Sequence, residues 1–217
     1  MKDLYDKKDS SYYSHSRPEL LKFIPKNIKS VLDVGCAGGN FGQMLKEIYR
    51  CEVWGIEPDE RSAEIAKVKL DHTLHSMFDK NINIPTDKRF DCIFFNDVLE
   101  HLAQPEEALE LASKYLSPGG CIIASIPNLR FYPAMLSLIR HKDFQYLDAG
   151  VMDKTHLRFF TKKSMVRLFE QSGFKVRNIE GINRHRFTYL EILNFFLLNS
   201  VDDMHFPQYA IVATKNG

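Results

Sequence analysis

The segment Asp33-Val34-Gly35-Cys36-Ala37-Gly38-Gly39-Asn40-Phe41-Gly42 constrains this chain more than any other. It carries a short apolar run, Ser30 to Val34, through a glycine-rich turn into a stretch of helical spacing. A short apolar run that ends in glycines reads as a buried parallel strand. Beyond the turn, Asn40 to Tyr49 sets Phe41, Met44, Leu45 and Ile48 on one helical face. Glycines let the backbone turn tightly and come close to a ligand, and the helix start beyond them offers N–H groups without intrahelical partners. In a doubly wound sheet such a loop opens at the carboxyl edge of the strands, where ligands bind.

The downstream pattern agrees. Cys51 to Ile56 reads as a second strand, and Asp59 can cap a helix running through Ala63, Ala66 and Leu70. His72 to Met77 is a weaker third strand and Phe90 to Phe95 a fourth. Pro105 to Leu116 reads as a helix with proline in its first turn and a Ser-Pro-Gly-Gly stop, and Cys121 to Ile126 as a fifth strand. Strand and helix alternating in this way argue for a mostly parallel α/β sheet. From Asn128 to His156 the sequence reads as irregular, aromatic and basic. Thr161 to Ser172 is a helix capped by Thr161 and ended by Gly173, followed by strands at Phe174–Ile182 and Gln208–Thr214. Between those strands, 183–206 holds a helix-like segment, Tyr189 to Leu198. With no repeats or linkers, 1–217 is expected to be one domain: an N-terminal helical segment at 1–29, a cofactor-binding core at 30–127, and lid insertions at 128–160 and 183–206.

Glu57 ends the second strand, 22 residues after Gly35. An acid in that position can accept hydrogen bonds from both hydroxyls of a ribose, so loop and acid together point to an adenosine-type ligand. The glycines do not fit G-x-G-x-x-G, because positions 37 and 40 are Ala37 and Asn40; this speaks against a dinucleotide. Gly42 is followed by Gln43, which excludes a Walker-type ATP loop. Asp33 would repel a pyrophosphate but can face an ammonium.

On these residues the chain resembles the class I S-adenosylmethionine (SAM)-dependent methyltransferases. Asp33, Gly35 and Gly39 match that family's acid-x-G-x-G-x-G loop, with Ala37 in place of the middle glycine. Phe90 to Ile93, Asn96 to His101 and Leu116 to Gly120 match its later motifs in order. The resemblance implies a Rossmann-like, doubly wound seven-stranded sheet, mostly parallel with the last strand antiparallel and helices on both faces. It implies SAM as cofactor, held by Asp33, Gly35, Cys36, Ala37, Gly39, Glu57, Pro58, Met77, Phe78, Asn96 and Asp97. Ile126-Pro127-Asn128, Asp153 to Thr161 and Ser172 to Phe174 are similar to a bacterial subgroup often associated with glycan or natural-product assembly.

Methyl transfer requires an aligned nucleophile, and an oxygen or nitrogen nucleophile also loses a proton. His101, one helical turn after Asp97, and His156 are the candidate bases; each could equally be a packing histidine. Asn128, Tyr132 and Arg158 are the candidates for holding the acceptor. Asp97, Glu100, His101, Asp153 and His156 include metal-ligand types, but no spacing compels a site and no metal is expected. Arginines, lysines and aromatics interleave across 130–163, which suits an acidic, small-molecule or glycan-like acceptor and, less well, RNA. The expected reaction is methyl transfer to oxygen. N- or C-methylation of a quinone, lipid, protein or RNA, or a non-catalytic SAM-binding scaffold, are the alternatives; an NAD-dependent oxidoreductase is more distant.

Composition narrows the partners. The chain has 217 residues, 44% hydrophobic and 26% charged, with a formal charge of +1; no global field draws it to nucleic acid or membrane. Met1 to Pro18 lacks the apolar core of a signal peptide, and no stretch approaches a membrane span. The four cysteines form no CxxC pair, which suits a reducing cytoplasmic setting. The crowded apolar residues at Leu190 to Leu198 are expected to pack on the sheet, with the surplus in 189–201 forming a lid or a homodimer contact; membrane-surface binding is the lesser reading.

Overall fold

The computed structural model describes residues 17–216. One sheet of seven strands organises them: β1 Ser30–Val34, β2 Glu52–Glu57, β3 His72–His75, β4 Phe90–Asn96, β5 Leu116–Pro127, β6 Phe174–Ile182 and β7 Gln208–Lys215, in spatial order β3-β2-β1-β4-β5-β7-β6. β1 to β5 pair in parallel, and β7 runs antiparallel between β5 and β6. The sheet is therefore doubly wound outward from β1, and its last strand is the antiparallel one, as expected.

Alternation along each strand sends successive side chains to opposite faces, and each face has its own core. One core joins Leu32, Ile56, Ile93 and Phe95 to α3 (Pro105–Tyr115) and α5 (Lys162–Gln171) through Leu109, Met165 and Phe169. The other joins Val31, Val53, Phe94 and Ile123 to a 3-10 turn (Pro18–Phe23), α1 (Asn40–Tyr49) and α2 (Glu60–Lys67) through Leu20, Leu45 and Ala66. Two caps anticipated from sequence are present: Asp59 Oδ1 accepts the Ser62 N–H at 2.8 Å, and Thr161 forms a reciprocal capping box with Ser164.

Several sequence boundaries shift. The helix begun by Asp59 stops at Lys67, so Leu70 lies beyond it. Ile48 is exposed rather than packed with Phe41 and Leu45. The Ser-Pro-Gly-Gly stretch does not end a helix into a loop. It lies within β5, where the pairing with β4 jumps from Phe90↔Leu116 to Cys92↔Cys121. The segment read as irregular contains a helix, α4 Tyr132–His141. Its residues are exposed or half-buried, so it lacks the core-facing apolar stripe by which a helix is recognised. The helix α6, Thr188–Phe196, does not lay its apolar surface on the sheet: Leu190 and Asn194 are buried, whereas Tyr189, Ile192, Phe195 and Phe196 are exposed. Of the N-terminal helical segment expected at 1–29, residues 1–16 lie outside the described residues; the remainder holds the single 3-10 turn.

Candidate functional site

A cavity of about 1330 Å³ opens at the carboxyl ends of β1, β2 and β4. A ligand pocket is ordinarily about 300–1,000 Å³, so this volume has room for two small molecules side by side. Its walls divide accordingly into a polar half on the sheet and a more apolar half on the lid.

The polar half begins at the glycine turn. Gly35 has φ +72°, and a Cβ there would come within 2.6 Å of Val98 Cγ2. The glycine therefore allows the β1 turn and the segment after β4 to touch, with Cys36 and Ala37 exposed to the cavity between them. Ala37 is held at φ +47°, a left-handed conformation that costs a residue with a Cβ about 1 kcal/mol. Its N–H donates to Glu57 Oε2 at 2.8 Å, and the Asp59 N–H donates to Glu57 Oε1 at 2.9 Å. Each Glu57 oxygen retains a second lone pair for a ligand hydroxyl. Burial raises the Glu57 pKa, and the two backbone donors oppose that shift.

Two buried groups in this half lack internal partners. Asp33 Oδ1 and both amide atoms of Asn96 make no hydrogen bond among the described residues, and both residues line the cavity. Such atoms are costly to bury, and a ligand with an ammonium and other polar groups would satisfy them. Burial, reinforced by the charge of Glu57 and opposed by that of Arg17, pushes the Asp33 carboxyl up to about 8. Asp33 is only 2% exposed. Pro58, Met77 and Phe78 line the same half, and the Phe78 ring meets Phe95 edge-on. Gly39 is not a wall: it caps α1 with φ +75° and packs against Ala66.

Asp97 joins the two halves. Its backbone is left-handed at φ +54°, and Oδ1 accepts from Ser125 Oγ at 3.1 Å and Gln208 Nε2 at 2.9 Å. Arg17 pairs with its other oxygen and donates to Gln208 Oε1 at 3.1 Å. Sequence reasoning passed over Arg17 and Gln208. Both line the cavity, yet nothing local marks residues so distant in the chain as converging on Asp97. The left-handed Asp97 also breaks the helical relation assumed between it and His101, which sits at the end of a 3-10 turn, Leu99–His101.

On the acceptor side, His101 and His156 come together, their rings edge to face with centroids 4.8 Å apart. His101 Nδ1 lies 3.1 Å from the Thr155 carbonyl and His156 Nδ1 3.1 Å from the Val151 carbonyl. A carbonyl only accepts, so each Nδ1 carries a proton. The buried Glu100 carboxylate lies 4.0 Å from His156 Nε2. Glu100, His101 and His156 each offer a ligand atom within 4.8 Å of the others, one carboxylate and two imidazoles. That donor set could hold a divalent metal.

The three residues expected to hold the acceptor are elsewhere. Asn128 is fully buried, and its amide donates to the Asp203 and Phe206 carbonyls at 2.9 Å. Tyr132 packs on Phe187. Arg158 donates from Nε to the Ala103 carbonyl at 3.0 Å, and its backbone N–H to Glu100. None lines the cavity. The basic cluster read from 130–163 does not face it either: Arg130 is bound by Asp203, and Arg140 and Lys142 are exposed at the end of α4. Instead the lid wall is formed by side chains such as Phe131, Pro133, Leu138, Leu147, Val151 and Met152, with Asp143 and Asp153 its acids. Charge read from sequence has no direction, and here it pointed away from the site.

Comparison with known proteins agrees with this geometry. A family model described as a methyltransferase domain matches residues 5–179. A ubiquinone biosynthesis O-methyltransferase of Coxiella burnetii is 28% identical over 177 residues, covering 77% of this chain and 74% of that protein. One from Azoarcus is 24% identical over 190 residues, covering 84% and 77%. Among solved structures, a SAM-dependent methyltransferase from Archaeoglobus fulgidus superposes with a TM-score of 0.66 over 91% of each chain at 21% identity. One from Aquifex aeolicus does so with 0.62, covering 98% and 96% at 17% identity. At such identities these structures establish the shared fold.

Proposed function

This chain belongs to the methyltransferase-domain family, and on that premise we propose that it methylates a hydroxyl oxygen of a small acceptor with a largely apolar body. It is a SAM-dependent methyltransferase. The residues of the polar half fit that cofactor: Glu57 for the ribose hydroxyls, Asp33 and Asn96 for the amino-acid end, the Gly35–Ala37 backbone for close approach, and Met77 and Phe78 beside the adenine. Arg17, already in the cavity, offers the amino-acid carboxylate a guanidinium. Bound there, SAM supplies a methyl group activated by its sulfonium.

The chain's own residues then have three tasks. The segment 128–160, with Asn183 beside it, excludes water and orients the acceptor, the effect by which positioned reactants react faster. His101, which lines the cavity with its Nδ1–H held on the Thr155 carbonyl, is the residue we assign as the base that takes the hydroxyl proton. His156, fixed on the Val151 carbonyl and facing Glu100, packs against the His101 ring and keeps it in place.

The observation that carries this reading is the lid wall. Apolar side chains and carboxylates line it, and among the described residues no lysine or arginine does, so it suits an uncharged acceptor better than a phosphorylated or acidic sugar. The ubiquinone biosynthesis O-methyltransferases among its relatives support oxygen as the acceptor atom. Four free, buried cysteines support a reducing, cytoplasmic setting, and no helix among the described residues is long and apolar enough to cross a membrane. The test is transfer of labelled methyl from SAM to two acceptor panels, alkyl-substituted phenols and nucleotide sugars. Methyl ethers from the phenols alone are expected. Transfer to the sugars alone, or to nitrogen, would overturn the proposal.

A further inference from the structure

The helix α6 carries apolar residues on two sides. Taken at 3.6 residues per turn, Leu190 and Asn194 point one way and are buried, while Tyr189, Ile192, Phe195 and Phe196 share an arc of about 120° on the other side. These four are 83%, 57%, 78% and 74% exposed, and Leu198 follows them at 89%. A soluble helix normally turns polar residues to water. At those exposures the stripe and the two leucines after it present on the order of 700 Å². That exceeds the largest apolar patch of a typical monomer, about 300–600 Å², and approaches the roughly 800 Å² that each partner contributes to a standard interface.

The charges around the stripe separate the two candidate occupants. Arg184 and Arg186 are exposed before the helix, whereas Glu191 lies on its edge and Asp202 is exposed after it. Two positive and two negative charges leave no net attraction to an anionic lipid surface, which favours a basic polar face. They are arranged end to end, basic before the helix and acidic after it, which is self-complementary when two copies meet antiparallel. An isologous two-fold contact centred near Ile192 sets Tyr189 of each copy against Phe195 of the other. It brings the Arg184–Arg186 end of each against the Asp202 end of the other.

We propose that the outward face of α6 is the interface of a two-fold homodimer in which two copies of this helix pack antiparallel. The dimer stands or falls independently of which acceptor is methylated. It also buttresses the lid, because Phe187 at the foot of α6 packs on Phe131 and Tyr132 at the start of α4.

The test is sedimentation velocity on the full chain across micromolar concentrations. The expected result is a species of twice the chain mass. Ile192→Glu with Phe196→Glu is expected to give monomer with unchanged SAM affinity; both side chains are exposed, so the fold does not depend on them. Arg184→Glu and Asp202→Arg are each expected to weaken association about tenfold, and the two together to restore it. A wild-type monomer at all concentrations overturns the proposal, as does a dimer that survives the double glutamate substitution. Failure of the paired reversal to rescue overturns the antiparallel arrangement. Flotation of a monomer with phosphatidylcholine–phosphatidylglycerol vesicles, lost on the double substitution, would make the face a lipid-binding surface instead.

Discussion

The two halves of the cavity are built differently. The cofactor half rests on strand ends and on the turns joining them to α1 and α2. Its key groups are fixed by short backbone hydrogen bonds, such as those from Ala37 and Asp59 to Glu57. The apolar half rests on 128–160, whose helix α4 buries no side chain; of the second insertion expected from sequence, 183–206, only Asn183 reaches the cavity, and α6 does not. A site placed on strand ends inherits the rigidity of the sheet, whereas one placed on insertions can open and reshape. On the assignment we propose, a cofactor with fixed demands meets a fixed frame, and the acceptor meets the other half.

Three measurements can break or sharpen that division. The largest effect is expected from His101→Ala, which should lower kcat by about 10²–10⁴ while SAM affinity measured by calorimetry stays the same. Unchanged turnover would remove His101 from the role of base. Next is Glu57→Ala, which should weaken SAM by about 1–3 kcal/mol through lost hydrogen bonds and leave acceptor KM nearly unaltered. A mutant that folds and binds SAM normally would show that the ribose is held elsewhere.

The smallest is a pH effect carried by Asp33. Its carboxyl is raised to about 8 in the free protein, and an ammonium requires it ionised. Below that value a proton must leave on binding, at about 1.4 kcal/mol per pH unit. SAM affinity should therefore rise with pH below 8, by up to about tenfold per unit, and Asp33→Asn should abolish the slope. A flat profile in the wild type would mean that Asp33 does not face the ammonium.

The same division governed what could be read from sequence. The β1 run, its glycines, Glu57 and the Asp59 cap are local signals: each depends on neighbours a few residues away, and each element lies where it was expected, within a residue or two. Arg17 and Gln208 reach the cavity only because the completed sheet brings them to Asp97, which no local pattern records. In the lid, α4 hid because none of its residues is buried. Arg130 and Arg158 misled because their partners, Asp203 and the Ala103 carbonyl, are set by folding of segments far apart in the chain. Asn128 looked like a substrate contact and is a buried staple between the two lid segments.

Gln208 opens β7, and its register partners are Pro127 at the end of β5 and Ile182 at the end of β6. Both insertions thus leave from, or return to, a single row of the sheet, the row from which Gln208 also reaches Asp97. Because β7 runs against its neighbours, the ends of β5 and β6 and the start of β7 meet there: 183–206 joins β6 to β7 within that row, whereas 128–160 leaves from it and returns at Thr161, the cap of α5. On the assignment we propose, replacing 128–160 would change the acceptor while leaving the cofactor frame in place. A laboratory graft in place of 183–206 should therefore begin and end at that row, and one in place of 128–160 should begin there and end at Thr161.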